Sequence, residues 1–570
     1  MLYDHWRFPL PPADENRARQ WQQTFALHPV VGRLLAQLPL PDEPSVRRFL
    51  HPDSSLLHDP LRMAGMPDAV DRLSRAVDRG EHILLYGDYD VDGLCGVALC
   101  YRFLRAWHPH LHHYIPRRDT EGYGFGQAGV DYAAARNCSL IITVDCGVCD
   151  AAAIEAAAAR GIDVLVCDHH LPPATLPAAT AVLDPLRPGC PYPFKGLSGC
   201  GVAFKLLQGL CARRGLPEAG LLELVDLVAL SVACDLSPMH DENRVFVHLG
   251  LQRLNRAPRT GLRALLRHCA GTGPLDVREL VYRVGPLLNA AGRMGDATDA
   301  LRLLLTDDRE AAQLLAGRLA WRNKCRREAD YGAFAQACAR WEQAPGNATR
   351  STIVLHDPDW APGVLGIVAG RMAERYHKPA VLLAGRADAC TGSARAIRGV
   401  SLDQALAACA GQLTTWGGHT HAAGLRLAED RLAAFADTFE QAVRAQLPAG
   451  APRRVLDVAA ELPLADVSPE LANDIERLAP FGPAHRSPVF VARNVRLDGP
   501  VRRSGRHHAH VALRQGDRVL QAVGFNLADT LAALGDAAFD VAYGIRCADW
   551  HGHRLLQLQI KDVGPRHTID

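Results

Sequence analysis

Three short apolar runs constrain the fold more than any other feature of the chain. Ile83-Leu-Leu-Tyr86, Leu140-Ile-Ile-Thr-Val144 and Val164-Leu-Val-Cys167 each give way to an aspartate: Asp88, Asp145 and Asp168. Runs of this length read as strands buried on both faces. The Ala-rich stretch Ala151 to Arg160, between the last two, has strong helix propensity. Buried strands alternating with helices predict a parallel sheet in an α/β domain. Ligands in such sheets gather at the carboxyl ends of the strands. Three acids at three strand ends therefore mark a candidate site.

With 570 residues the chain has room for several domains, and 48% hydrophobic with 22% charged residues is ordinary globular composition. Lys plus Arg is 63 against 62 for Asp plus Glu, so binding of a polyanion has to come from local basic patches. The start, Met1 to Trp6, lacks the pattern of a signal peptide, and no apolar run reaches the ~18 residues of a membrane span. The expectation is a cytoplasmic protein whose 16 cysteines stay reduced. Cys146-Gly-Val-Cys149 has no second pair to complete a zinc ribbon.

Residues 1 to about 60 read as Pro-rich and irregular, with short helical patches. Thr306 to Gln343 predicts one long helix, with Asp307 and Glu310 at capping-box spacing and an apolar stripe of Tyr331, Phe334, Cys338 and Trp341. It either bridges two domains or packs within one. Strand-like Thr352–Leu355 and Ala380–Leu383 flank a helix near 363–377, predicting a second, smaller α/β domain. Pro448 to Pro452 reads as a linker. A helix near 468–478 and β-like segments such as Val519–Gly524 and Leu555–Ile560 then predict a small β-barrel.

Asp88-Tyr-Asp90-Val-Asp92-Gly93 is the densest chemical signal. An EF-hand loop also begins D-x-D-x-D-G, but its twelfth position needs a bidentate Glu and here is Leu99. Three carboxylates at alternate positions point to one side of an extended chain, and crowding them is costly unless a cation compensates. A helix cap would need only one of them. Asp168-His169-His170 adds imidazole, and Asp235 ends the further apolar stretch Leu227–Cys234. Carboxylates with imidazole suit Mn2+ or Mg2+.

Gly87–Gly93, Thr143-Val-Asp-Cys-Gly147, Asp168-His-His170 and Ala233-Cys-Asp235 resemble, in order, the four motifs of the DHH phosphoesterases. Glu121-Gly-Tyr-Gly124, Tyr192-Pro-Phe194, Glu242-Asn-Arg244, Asn289-Ala-Ala-Gly-Arg-Met294 and Pro480-Phe-Gly482 resemble its RecJ branch. The resemblance implies a metal-dependent exonuclease that degrades single-stranded DNA 5′ to 3′ to mononucleotides, in recombination and repair. It implies two divalent cations held by Asp90, Asp92, Asp145, His169 and Asp235, with Asp145 between them and Asp88 close by. His170 either supports the metal site or gives a proton to the leaving oxygen. Trp360-Ala-Pro-Gly363, Gly392-Ser-Ala-Arg395 and Gly417–Gly424 resemble the companion DHHA1 domain, which places Arg118, Ser393 and Arg395 on the terminal phosphate and Arg293 and His419 along the substrate.

The implied architecture is an N-terminal segment (1–60), a DHH catalytic domain (61–305), a connecting helix (306–345), a DHHA1 domain (346–448) and a linker helix with an OB-like barrel (449–570). Arg502, Arg503, Arg506, His507, His508 and His510 form a basic stretch on that barrel, read as a strand-binding surface or an exposed loop. The implied working state is a monomer with a helicase and a single-strand-binding protein as partners. Leu287, Cys95-Gly96 and His485 depart from the pattern without touching an expected ligand.

Overall fold

The computed structural model describes residues 2–9, 13–269, 273–447, 454–505, 507–550 and 553–564. The three apolar runs are strands, His82–Gly87, Cys138–Val144 and Asp163–Cys167, in a five-stranded parallel sheet. Leu111–Tyr114 forms one edge beside His82–Gly87, and Ala181–Leu183 the other. Residues of alternating parity pack on opposite faces. Ile83 and Leu85 meet helices Met66–Asp78, Val91–Arg105 and Gly199–Arg214, and Leu84 and Tyr86 meet Gln127–Ala134 and Ala151–Ala158. Complete burial of each such Leu or Ile stabilises the fold by about 1.5–3 kcal/mol.

The Cys95-Gly96 departure has a packing reason. Cys95 is fully buried, and a Cβ on Gly96 would stand 2.3 Å from Val144 Cγ1 and 3.3 Å from the Cys200 backbone. The helix carrying Asp92 thus lies against the strand that delivers Asp145. Leu287 is likewise a core residue.

The connecting helix runs Arg309–Gln343, 35 residues and about 50 Å. Ala312, Leu315, Ala316 and Leu319 pack into the catalytic core, whereas Ala333, Ala337, Cys338 and Trp341 belong to the core of the next domain. It therefore bridges two domains. Its cap is Asp308, not Asp307: Asp308 accepts from the Glu310 and Ala311 amides. Tyr331 leaves the expected apolar stripe. It is 55% exposed, with the Arg371 guanidinium 5.1 Å from its ring. Beyond the helix, a five-stranded mixed sheet includes Ile353–His356, Ala380–Ala384 and Cys390–Arg395 and ends in the hairpin Thr415–His419/Ala422–Leu427.

In the C-terminal region, strands Phe490–Leu497, Phe539–Trp550, His553–Gly564, Arg518–Gly524 and His508–Gln515 pair in that order, and the last pairs back to the first, closing a five-stranded barrel. The N-terminal segment is not irregular. Helices Glu15–Phe25, Pro29–Gln37 and Glu43–Leu50 share one hydrophobic core with the barrel, through Trp21, Leu35 and Val46 against Leu471, Phe490 and Val541. Strand His5–Arg7 pairs with Val455–Asp457, and fully buried Trp6 donates its indole N–H to Asp562. The Pro448–Pro452 linker and Arg506 lie outside the described residues.

Arg244 joins the N-terminal helices, catalytic domain and barrel. Its guanidinium donates to the carbonyls of Phe49, Ala479 and Pro480 and lies 3.8 Å from the Phe49 ring centroid. His485 completes this seam, stacked on Phe481 and donating to the Leu478 carbonyl.

Candidate metal centre and substrate cleft

Asp88 directly follows strand His82–Gly87, and Asp90 caps helix Val91–Arg105 by accepting from the amides of Asp92 and Gly93. The three acids are thus not on one extended segment: one ends a strand, one caps a helix and one lies in its first turn. Asp92 is buried and accepts from the amides of Gly199 and Cys200 and from the Ser231 hydroxyl, each at 2.7 Å. Asp145 leaves its strand with φ of +63°, a left-handed conformation costly for a residue with a Cβ. A Cβ on Gly199 would sit 2.7 Å from Asp145 Cβ, so only glycine fits there. Asp235 follows helix Val225–Cys234 and accepts from the Ser237 hydroxyl.

These side chains meet. Asp88, Asp90 and Asp145 form one group of potential ligand atoms within 4.8 Å of one another; Asp145, His169 and His170 form a second; Asp92, His169 and Asp235 form a third. Asp145 and His169 each belong to two groups, with Nε2 of His169 3.0 Å from the Asp145 carboxylate. Asp168 is used differently. It accepts from the amides of Val148, His169 and His170 and from Nδ1 of His170 at 2.8 Å, which orients that ring.

The donor set fits divalent cations. Burial, then mutual repulsion, pushes the carboxyls of Asp88 and Asp145 far above the usual range and raises Asp90; burial, partly offset by His169, lifts Asp235 to about 6. Oδ1 of Asp88 is buried without a hydrogen-bond partner. A cation would relieve both conditions, and oxygen with imidazole donors suits Mn2+ or Mg2+. Burial works against a proton on His170, but the hydrogen bond and charge of Asp168 outweigh it and raise the imidazole to about 9. Cys146 and Cys149 point toward different carbonyls, Val144 and Leu171, and neither joins a ligand group among the described residues.

A cleft of about 1010 Å³ opens from this centre toward the second domain. Arg118, Arg293, Ser393, Arg395 and His419, all expected at the substrate, line it together. Arg395 donates to the Ser393 hydroxyl, and Arg293 to the Gly363 carbonyl. Burial, then the charges of Arg118, Arg395 and Arg326, lowers Arg293 to about 10. Among the described residues none of Arg118, Arg293 and Arg395 pairs with a carboxylate, although their charges repel one another. His419 stacks on His170 across the domain boundary at 5.2 Å.

Tyr123, Tyr89 and Trp416 were not singled out as site residues in the sequence. The Tyr123 hydroxyl donates to the Asp145 carbonyl at 3.1 Å and lies 3.2 Å from the His170 ring nitrogens. Tyr89 and Trp416 line the cleft, with the Arg118 guanidinium 5.3 Å from the Tyr89 ring. The Glu121-Gly-Tyr-Gly124 motif was the available signal for Tyr123. The barrel's basic stretch is partly compensated, since Arg503 pairs with Asp529 at 2.7 Å.

Models of three families match the chain: the DHH family N-terminal domain over residues 82–232, the DHHA1 domain over 349–445 and the RecJ OB domain over 458–562. The single-stranded-DNA-specific exonuclease RecJ of Bacillus subtilis is 33% identical, over 99% of this chain and 71% of its own. That of Dickeya dadantii is 36% identical, over 91% of this chain and 94% of its own. The crystal structure of Thermus thermophilus RecJ in complex with Mn2+ superposes with a TM-score of 0.83 at 30% identity, covering 99% of this chain and 80% of that one. With its acids, its cleft and all three domain types in agreement, the chain belongs to the RecJ family of DHH exonucleases.

Proposed function

We propose that this protein is a metal-dependent phosphodiesterase that removes mononucleotides from the 5′ end of single-stranded DNA. The observation that carries this reading is one cleft lined by both halves of the chemistry: a crowded acid and imidazole cluster, and beside it the guanidinium groups of Arg118, Arg293 and Arg395, none of which pairs with a carboxylate among the described residues. Asp90, Asp92, Asp145, His169 and Asp235 would hold two Mn2+ or Mg2+ ions, with Asp145 shared and Asp88 adjacent. When bound, the ions supply Lewis-acid activation and charge neutralisation for an in-line displacement at phosphorus.

The chain's own residues set the rest. Asp168 fixes Nδ1 of His170, and Tyr123 and His419 hold the ring's flanks, which suits it to give a proton to the leaving oxygen. Arg118, Ser393 and Arg395 would take the terminal phosphate, with Arg293 on a following one. A 5′ terminus anchored there fixes the direction of travel as 5′ to 3′. Tyr89 and Trp416 offer faces on which unpaired bases stack. The reading takes one chain as the working unit. It leaves duplex opening to a helicase and strand protection to a single-strand-binding protein, in recombination and repair. The reading places the chain in the cytoplasm; no disulfide joins its cysteines, and among the described residues no helix is long and apolar enough to cross a membrane.

A timed digest of 5′-labelled single-stranded and duplex DNA with Mn2+, Mg2+ or chelator tests the proposal. Release of labelled mononucleotide from the single strand alone, abolished by chelator, is expected. Equal attack on duplex, or turnover in chelator, would overturn it.

A further inference from the structure

The opposite end of the catalytic sheet carries a second concentration of metal-binding side chains that the nuclease reading does not use. His82 opens its strand, and the segment His108-Pro-His110-Leu-His112-His113 leads into the neighbouring edge strand Leu111–Tyr114. The register pairs Leu84 with His112, and the Ile83 amide donates to the His110 carbonyl at 3.0 Å. With side chains alternating along each strand, His82, His110 and His112 share one face. Their rings lie side by side: His82 stacks on His110 at 4.7 Å and on His112 at 5.3 Å, and Nδ1 of His82 lies 3.0 Å from Nε2 of His112.

Two facing ring nitrogens at that separation share one proton, the N–H of one neutral imidazole donating to the bare nitrogen of the other, and a cation can take the place of that proton. A pair of metal–nitrogen bonds of about 2.0–2.1 Å, opening at roughly 90–110°, spans it. No carboxylate among the described residues hydrogen-bonds to any of the three rings, so nothing there holds them as imidazolium. Burial, then the charges of His82, Arg136 and His110, lowers the basicity of His112 further. His108 is different in kind: it is buried and donates to the Glu81 carbonyl, a structural role beneath the cluster. His113 faces elsewhere, toward Tyr101 and Arg302. The strand His82–Gly87 separates this cluster from Asp88 by ~20 Å.

We propose that His82, His110 and His112 bind one borderline transition-metal cation of the Zn2+, Ni2+ or Cu2+ class at the amino-terminal edge of the catalytic sheet. His82 and His112 supply a preformed pair on two hydrogen-bonded strands. The exposed His110 ring completes a facial set by a side-chain rotation. Neutral imidazoles select this class over Mg2+ and Ca2+, which take oxygen. The site ties the edge strand to the strand beside it just ahead of the turn bearing Arg118, so occupancy stiffens that edge without entering the reaction.

Equilibrium dialysis of Ni2+ against the full-length protein in saturating Mg2+ tests this directly. The double variant His82→Ala/His112→Ala should bind one Ni2+ fewer than wild type, and its Mg2+-supported nuclease rate should stay unchanged. His110→Ala, altering only an exposed ring, should keep the fold and weaken this Ni2+ by about tenfold or more. Wild type should also gain thermal stability with one equivalent of Ni2+, and His110→Ala should not. The same Ni2+ stoichiometry and affinity in wild type and His110→Ala would overturn the proposal, whatever the fate of the double variant. Its failure leaves the acid-lined centre untouched, because the readout is a difference between proteins that share that centre.

Discussion

The cleft's acidic wall and its gripping arginines are built in opposite ways. At the catalytic centre the acids are buried or half-buried, and two are locked by backbone amides: Asp90 by its own helix, Asp92 by the start of helix Gly199–Arg214. Along the cleft beside them, Arg118, Arg293 and Arg395 make few bonds, none to a carboxylate among the described residues. Fixed, crowded carboxylates suit a cation whose coordination geometry must hold within fractions of an ångström. Loosely tethered guanidiniums suit a polyanion that enters, shifts and leaves. The difference teaches that chemistry and grip reside in separate sets of residues, and variants should separate them.

The largest effect is expected from Asp145→Ala, the carboxylate common to two ligand groups. Its kcat should fall by roughly 10³-fold or more, with circular dichroism unchanged. Wild-type turnover would remove the acidic wall from the reaction. Arg395→Ala should lower kcat/KM for a 5′-phosphorylated strand by roughly 10–100-fold, the worth of a charged hydrogen bond. A 5′-hydroxyl strand should lose much less, and the decrease of binding with salt should become shallower. Equal losses on both strands would mean that Arg395 does not read the terminal phosphate.

Tyr123→Phe removes only a hydroxyl, shared between His170 and the Asp145 carbonyl. A decrease of about 2–10-fold in kcat with KM unchanged is expected. A change confined to KM would place Tyr123 with the gripping residues. His485 does not line the cleft. Burial, then the charge of Arg244, lowers it to about 4, from an ordinary value of 6.5. Its neutral ring contributes stability that is complete above pH 6.5 and is lost as pH falls toward 4. The loss is at most roughly 3 kcal/mol. His485→Asn should flatten the fall of Tm between pH 7 and pH 4.5 and leave nuclease kinetics at pH 7.5 unchanged. A kinetic defect at that pH would couple the seam to the cleft.

Much of the acidic wall was legible because its residues are dense in sequence or end apolar runs. Asp88, Asp145 and Asp168 each follow a strand that hydrophobicity alone reveals. The distinct use of Asp168 was not legible in this way, because it depends on amides of the turn at Val148. Arg395 and Ser393 were found through a motif, since a lone arginine in a strand carries no mark of what it faces. Tyr123 escaped because its reach depends on two left-handed glycines, Gly122 and Gly124, that turn the loop toward His170. The N-terminal segment reads as irregular because its partners lie 446 and 556 residues away: the His28 amide meets Asp474, and Trp6 meets Asp562. Local pattern predicts an apolar face but not what covers it.

The central claim is that the acid and imidazole cluster holds two cations close enough to act on one phosphodiester. Electron paramagnetic resonance during Mn2+ titration tests it most directly. The account predicts two Mn2+ per chain with an exchange-coupled signal, and loss of that coupling in Asp145→Ala. Two magnetically isolated ions, or a coupled pair that survives Asp145→Ala, would contradict it.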